Sequence, residues 1–202
     1  MERINAWTTY SEQDERQVMN LAKAYRAFLD RGKTERECVR EAIRLARAAG
    51  YVDLDEVKSL QPGDRVYVNT MGKAIQLYVM GREPLEKGFN VVGAHIDSPR
   101  MDIKQNPLYE DTDLAYLDTH YYGGIKKYQW VTLPLALHGV VAKKDGSLVD
   151  VVVGEDEDDP VVGVSDLLIH LSATQMDKKA SVVIEGEALV VIVGGRPLKG
   201  AD

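Results

Sequence analysis

Apolar residues recur at three- and four-residue intervals in two early stretches of the chain. Val18, Leu21, Ala22, Tyr25, Phe28 and Leu29 form one stripe behind Ser11, a residue suited to capping a helix; Val39, Ala42, Ile43 and Ala46 form another. This spacing places the side chains on one helical face. Thr34-Glu35-Arg36-Glu37 reads as a capping box ahead of the second stripe, and Gly50 ends it. Two amphipathic helices are predicted, each burying one side.

The period shortens after Pro62-Gly63-Asp64. Residues 65–69 and 74–80 read as a hairpin around the turn Met71-Gly72-Lys73, and residues 89–94 form a continuous apolar run of the kind buried on both faces of a sheet, with His95 at its C-terminal end. Past Asn106-Pro107 no long amphipathic helix is visible. Strands are predicted at residues 130–137, 139–142, 148–153 and 188–193, with a glycine-containing turn at Lys143-Lys144-Asp145-Gly146, a solvated acidic loop at Glu155-Asp156-Glu157-Asp158-Asp159 and a short helix over 165–171. The last strand leads into Gly194-Gly195-Arg196-Pro197, and residues 197–202 stop without a closing element. The change of character near Pro107 predicts an α/β portion over 1–106 and a β-rich portion over 107–202.

A chain of 202 residues, 45% hydrophobic, can build one sizeable core or two modest domains. Its 32 acidic against 25 basic side chains leave a net charge of −7, which repels phosphate backbones and anionic headgroups, so neither nucleic acid nor membrane is an expected partner. No run approaches the roughly 20 apolar residues of a membrane span, and the N-terminal residues carry no export signal. The single cysteine, Cys38, cannot pair within the chain and reads as a small buried apolar residue, which fits a reducing cytoplasm.

The most informative triplet is His95-Ile96-Asp97. Side chains two apart in an extended segment project to the same face, so the imidazole and the carboxylate can converge. A neutral imidazole ligates zinc, and a carboxylate beside it can orient the ring or coordinate directly. The competing reading is a histidine that closes a strand and bonds the neighbouring carboxylate. Periodicity does not separate the two.

The stretch Val91-Val92-Gly93-Ala94-His95-Ile96-Asp97-Ser98-Pro99-Arg100 is similar to the Ala-His-x-Asp-Ser-Pro segment that carries the first metal ligand of aspartyl-aminopeptidase-type zinc metallopeptidases. The likeness continues through Asp102-Ile103-Lys104-Gln105-Asn106-Pro107-Leu108-Tyr109-Glu110 and through Thr119-His120-Tyr121-Tyr122-Gly123-Gly124, and Lys33-Thr34-Glu35-Arg36-Glu37-Cys38 fits the same bacterial, clostridial-type branch. The resemblance implies an α/β fold: part of a zinc-peptidase α/β domain followed by a β-rich lid and oligomerisation domain. It implies that His95 binds one of two zinc ions, that Asp97 is the supporting catalytic carboxylate, and that peptides are the substrates of a homo-oligomer joined through the lid. Ser165-Asp166-Leu167-Leu168-Ile169-His170-Leu171 resembles the lid stretch whose histidine reaches the substrate, which makes His170 a third candidate.

The family's bridging aspartate, glutamate pair, later carboxylate ligand and last histidine are all expected beyond the lid. The resemblance therefore implies an N-terminal portion with one His and one Asp of a dinuclear site, expected to bind zinc weakly and to lack peptidase activity alone. A non-catalytic assembly protein that keeps the oligomerising surface is the alternative. His138, between two apolar strands, reads as a satisfied structural histidine, and His120 receives no catalytic role. Tyr121, Tyr122, Tyr128 and Trp130 read as packing between domains or subunits.

Overall fold

The computed structural model describes residues 3–196, and its first elements begin where the caps predict them. Helix α1 (Glu12–Arg31) opens on a reciprocal box in which the Asp14 amide donates to Ser11 Oγ at 3.3 Å and the Ser11 amide donates to Asp14 Oδ2 at 2.9 Å. Helix α2 (Glu35–Ala48) opens on the same device between Thr34 and Glu37. The helices meet closely at Gly32, where a Cβ would lie 2.8 Å from Cys38 Sγ. Only glycine fits that approach. Cys38 is buried, as its apolar context predicts.

The chain divides into two compact units, Met1–Asp97 and Ser98–Asp202. In the first, a three-stranded sheet runs in the order β1 (Val52–Asp53), β2 (Arg65–Thr70), β3 (Ala74–Val79), with β1 parallel and β3 antiparallel to β2. The predicted hairpin is present, and Met71 and Gly72 both take positive φ at its turn. Helix α2 packs on this sheet and buries Val39 and Ala46 beside Val66 and Tyr67.

In the second unit, β4 (Arg100–Asp111) and β5 (Leu114–Tyr122) form a long antiparallel hairpin, extended by β8 (Val191–Gly194) on the far side of β5. Strands β6 (Leu137–Ala142) and β7 (Leu148–Val153) form a separate hairpin around the predicted turn, with Gly146 at φ +84. The core gathers Val131, Val162, Val164, Ile184, Leu189 and Val191, with Leu117, Tyr121 and Trp130 packed against it. Tyr121 and Trp130 thus belong to their own unit's core.

The class is mixed α/β, and several expected elements differ. Residues 89–94 form no strand, and Phe89, Val91 and Val92 are exposed, because no described strand lies beside them to complete a ladder. Residues 130–136 make only isolated bridges, Val131 with Val164 and Leu135 with Val162, and the regular strand begins at Leu137. Pro134 removes a donor there, and Thr132 sits at φ +61. The helix expected over 165–171 is instead a 3-10 turn at Ile169–Leu171 followed by α3 (Ala173–Met176). The strand expected from residue 188 begins at Val191, since Gly186–Ala188 closes a 3-10 turn. Pro107, read as a change of character, lies inside β4 where the register with β5 shifts, and the division between units falls at Asp97/Ser98. The expectation for residues 197–202 lies outside the described residues.

Candidate metal-ligating site

His95 and Asp97 close the first unit on a segment without regular secondary structure. The two-residue spacing brings them together. His95 Nδ1 lies 3.0 Å from the backbone oxygen of Asp97 and 3.4 Å from its carboxylate Oδ1. A carbonyl oxygen only accepts, so the ring proton sits on Nδ1 and the Nε2 lone pair is left for an electrophile. This is the arrangement in which a histidine ligates a metal through one nitrogen while a second group fixes its tautomer. The His95 side chain is 84% exposed and that of Asp97 is 40% exposed, so the pair lies open rather than enclosed.

The donors present fit one arm of a zinc site. Tetrahedral zinc takes four ligands, and among the described residues no group of three or more His, Cys, Asp or Glu side chains is gathered for a metal ion.

His170 lies in the second unit, exposed on the 3-10 turn Ile169–Leu171. The turn is anchored by buried Ser172, whose Oγ donates to the Ile169 carbonyl at 3.1 Å. Leu168, Ile169 and Leu171 around it are all exposed. Asp166 Oδ1 accepts from the Leu167 amide and from Gln175 Nε2, each at 2.8 Å, which shapes the approach to the turn. Beside the turn lies a cavity of about 400 Å³ lined by Val131, Leu167, Leu171 and Ile184.

The other two histidines have local partners. His138 Nε2 lies 2.9 Å from Glu155 Oε1 with the ring largely buried, so one end of the acidic loop is pinned to β6. Asp159 closes the loop by accepting from the Gly154 and Asp156 amides, which hold its carboxyl below the usual range. The loop is therefore more structured than a solvated tether. His120 lies opposite Asp102 across the β4–β5 ladder and stacks on Tyr121. Sequence reasoning missed one feature, the Arg100 guanidinium 4.3 Å from the Tyr122 ring centre and bonded to Asp102. The Arg-x-Asp spacing in a strand was the available signal.

The model for aminopeptidase I zinc metalloproteases (M18) matches residues 28–197. A probable M18 family aminopeptidase 1 of Clostridium acetobutylicum is 55% identical over 202 residues, covering 98% of this chain and 43% of that protein. The crystal structure of an aminopeptidase I from the same organism superposes with a TM-score of 0.86 at 53% identity, covering all of this chain and 45% of that one. An M18-family aminopeptidase from Thermotoga maritima superposes with a TM-score of 0.91 at 40% identity, over all of this chain and 44% of that one. The present chain spans less than half the length of these relatives.

Proposed function

The chain belongs to the M18 family of aminopeptidase I zinc metalloproteases, and on that premise we propose that it carries the first metal-ligating histidine of a peptidase that removes N-terminal residues from peptides. The observation that carries this reading is the His95 ring, with Nδ1 turned to Asp97 and Nε2 left for zinc. In the complete enzyme two zinc ions are held, one of them by His95, with Asp97 orienting the ring. Bound zinc supplies Lewis acidity toward the carbonyl of the substrate's first residue.

Within this chain, Asp97 keeps the ring proton on Nδ1, and His170 is available to meet substrate from the lid turn. The first unit, through Asp97, is read as the N-terminal part of the catalytic domain, and the second, from Ser98, as the lid and oligomerisation domain. The uncovered Leu168, Ile169 and Leu171 support assembly as a homo-oligomer. They equally favour the second reading, a non-catalytic assembly protein. No helix among the described residues is long and apolar enough to cross a membrane, and the cytoplasm is the proposed location.

Two donors cannot complete a dinuclear site, so this chain alone is proposed to bind zinc weakly and to lack peptidase activity. Calorimetric zinc titration of the wild type beside His95→Ala tests the assignment. Weak binding that disappears in the variant supports it, whereas tight binding that survives the substitution sinks it.

A further inference from the structure

Strands β6 and β7 form a sheet of two, and among the described elements each packs chiefly against the other. A two-stranded hairpin is marginal in water until a third strand or a covering layer joins it. Among the described residues no strand is registered against the outer edge of β7. Exposed edges of soluble proteins are blunted by lysine, proline or a bulge. The β7 sequence Leu-Val-Asp-Val-Val-Val has none of these, its ladder with β6 is regular, and Leu148, Val149 and Val152 are 65%, 42% and 47% exposed. The Lys143 amide donates to the Ser147 carbonyl at 2.8 Å, which marks that pair as hydrogen-bonded. By alternation along the ladder, residues 148, 150 and 152 turn their amide and carbonyl groups away from β6.

We infer that β7 pairs antiparallel with β7 of a second copy of this chain, joining two hairpins into one four-stranded sheet; this rests on the proposed reading of the second unit as an oligomerisation domain and names the edge it uses. Charge selects the occupant. Ahead of β7 the turn presents Lys143 and Lys144, both exposed, while Asp145 is occupied within the turn, where its carboxylate accepts from the Ser147 amide at 2.9 Å and hydroxyl at 2.6 Å. Beyond β7 comes the acidic loop, with Glu157 and Asp158 exposed. The two ends of the strand therefore carry opposite charge. Antiparallel pairing across a two-fold axis sets each copy's lysines beside the other's acidic loop, twice over. Parallel pairing would set acid against acid. A two-fold axis perpendicular to the sheet must centre on a residue. Centred on Val151, it joins the outward backbone groups of Asp150 to those of the partner's Val152 and the reverse; centred on Asp150, it would oppose two carboxylates directly.

The test is sedimentation of the full 202-residue chain beside two charge-reversed variants, Lys143→Glu with Lys144→Glu and Glu157→Lys with Asp158→Lys. The wild type should dimerise, and each variant alone should dimerise about tenfold or more weakly, since like charges then meet at both ends. An equimolar mixture of the two variants should recover the wild-type affinity, because the mixed pair restores opposite charges, and that recovery also shows that both variants are folded. Val149→Lys, a charge on the edge itself, should weaken the dimer in the same way, and amide exchange at residues 150 and 152 should slow on dimerisation. His95→Ala should leave the dimer intact, which separates this edge from the metal reading. A wild type that stays monomeric overturns the inference, as does a mixture that fails to recover or a dimer indifferent to Val149→Lys. A dimer lost instead on Leu168→Asp would keep the oligomerisation reading and overturn this edge.

Discussion

The hydroxyl oxygen of Tyr67 accepts two hydrogen bonds from the Arg47 guanidinium, from Nε at 2.9 Å and from Nη2 at 2.6 Å. Tyr67 is almost fully buried on β2, while Arg47 lies in the last turn of α2 at the unit's surface. The pair fastens helix to sheet with a charge-assisted bond whose donor can still reach water. Tyr67→Phe is expected to cost about 1–2 kcal/mol, since the ring packing survives and only the bonds are lost. Urea unfolding of the two proteins checks this, and an unchanged midpoint would mean that the contact is incidental.

Glu41 is a buried carboxylate on α2. Arg44 holds it bidentately at 2.7 Å through both Nε and Nη2, and Arg31 adds a bond at 3.1 Å. Bonding to Arg44 is the largest cause that brings its pKa down from 4.5 to about 2, with burial opposing and Arg31 assisting. The folded-state value is depressed, so the stabilisation is complete above the unfolded value near 4.5 and disappears as pH falls through about 2. Both arginines are more than half exposed, which limits the contribution to about 1–2 kcal/mol. Glu41→Gln is therefore expected to lower stability by that amount at pH 7 and to match the wild type near pH 2, as denaturation at both pH values would show.

Leu189 is completely buried at the centre of the second unit, and Thr119 of β5 donates its hydroxyl to the Leu189 carbonyl. Leu189→Ala is expected to cost about 2–5 kcal/mol through the lost contacts and the cavity left behind. Thermal melting followed by near-ultraviolet dichroism, which reports the packing of Tyr121 and Trp130, should show this loss.

Replacing Asp97 by Asn removes the carboxylate beside His95 Nδ1 and keeps the backbone oxygen. In a metal-loaded assembly that contains the rest of the family's ligands, zinc at this position should bind roughly 10–100-fold more weakly. Competition with a chelator measures it, and equal affinity would remove Asp97 from the metal's support.

The legible parts of the fold were those whose signal is local. The Ser11 and Thr34 caps, the Met71-Gly72 turn and the Gly146 turn each fix a conformation within four residues, and each is found as expected. The β4–β5 hairpin was hidden because its two-residue turn uses Thr112 and Asp113, both at positive φ, where the usual signal is a glycine. Its core-facing row of Leu117, Thr119 and Tyr121 also includes a hydroxyl whose partner, Leu189, lies seventy residues away. Residues 89–94 were misread for the opposite reason, since the apolar pattern is strong but a strand exists only with a neighbour. At the candidate site, spacing foretold that His95 and Asp97 would meet. Which nitrogen faces the carboxylate required coordinates.

The pairing of β5 with β8 joins Tyr116 to Ile192 across 76 residues of chain, and the core it seals includes Leu189 and Val191. Contacts between residues so far apart in sequence form slowly. During synthesis, the helices and the β2–β3 hairpin of the first unit can close on one another while the second unit is still unfinished. The β4–β5 ribbon can pair locally, but its β8 edge and its core cover must wait until residue 192 has cleared the ribosome exit tunnel. A ribosome paused after the first unit has emerged but before that point would hold out a folded first unit and an unsealed second one, which is the interval in which a chaperone would find something to bind.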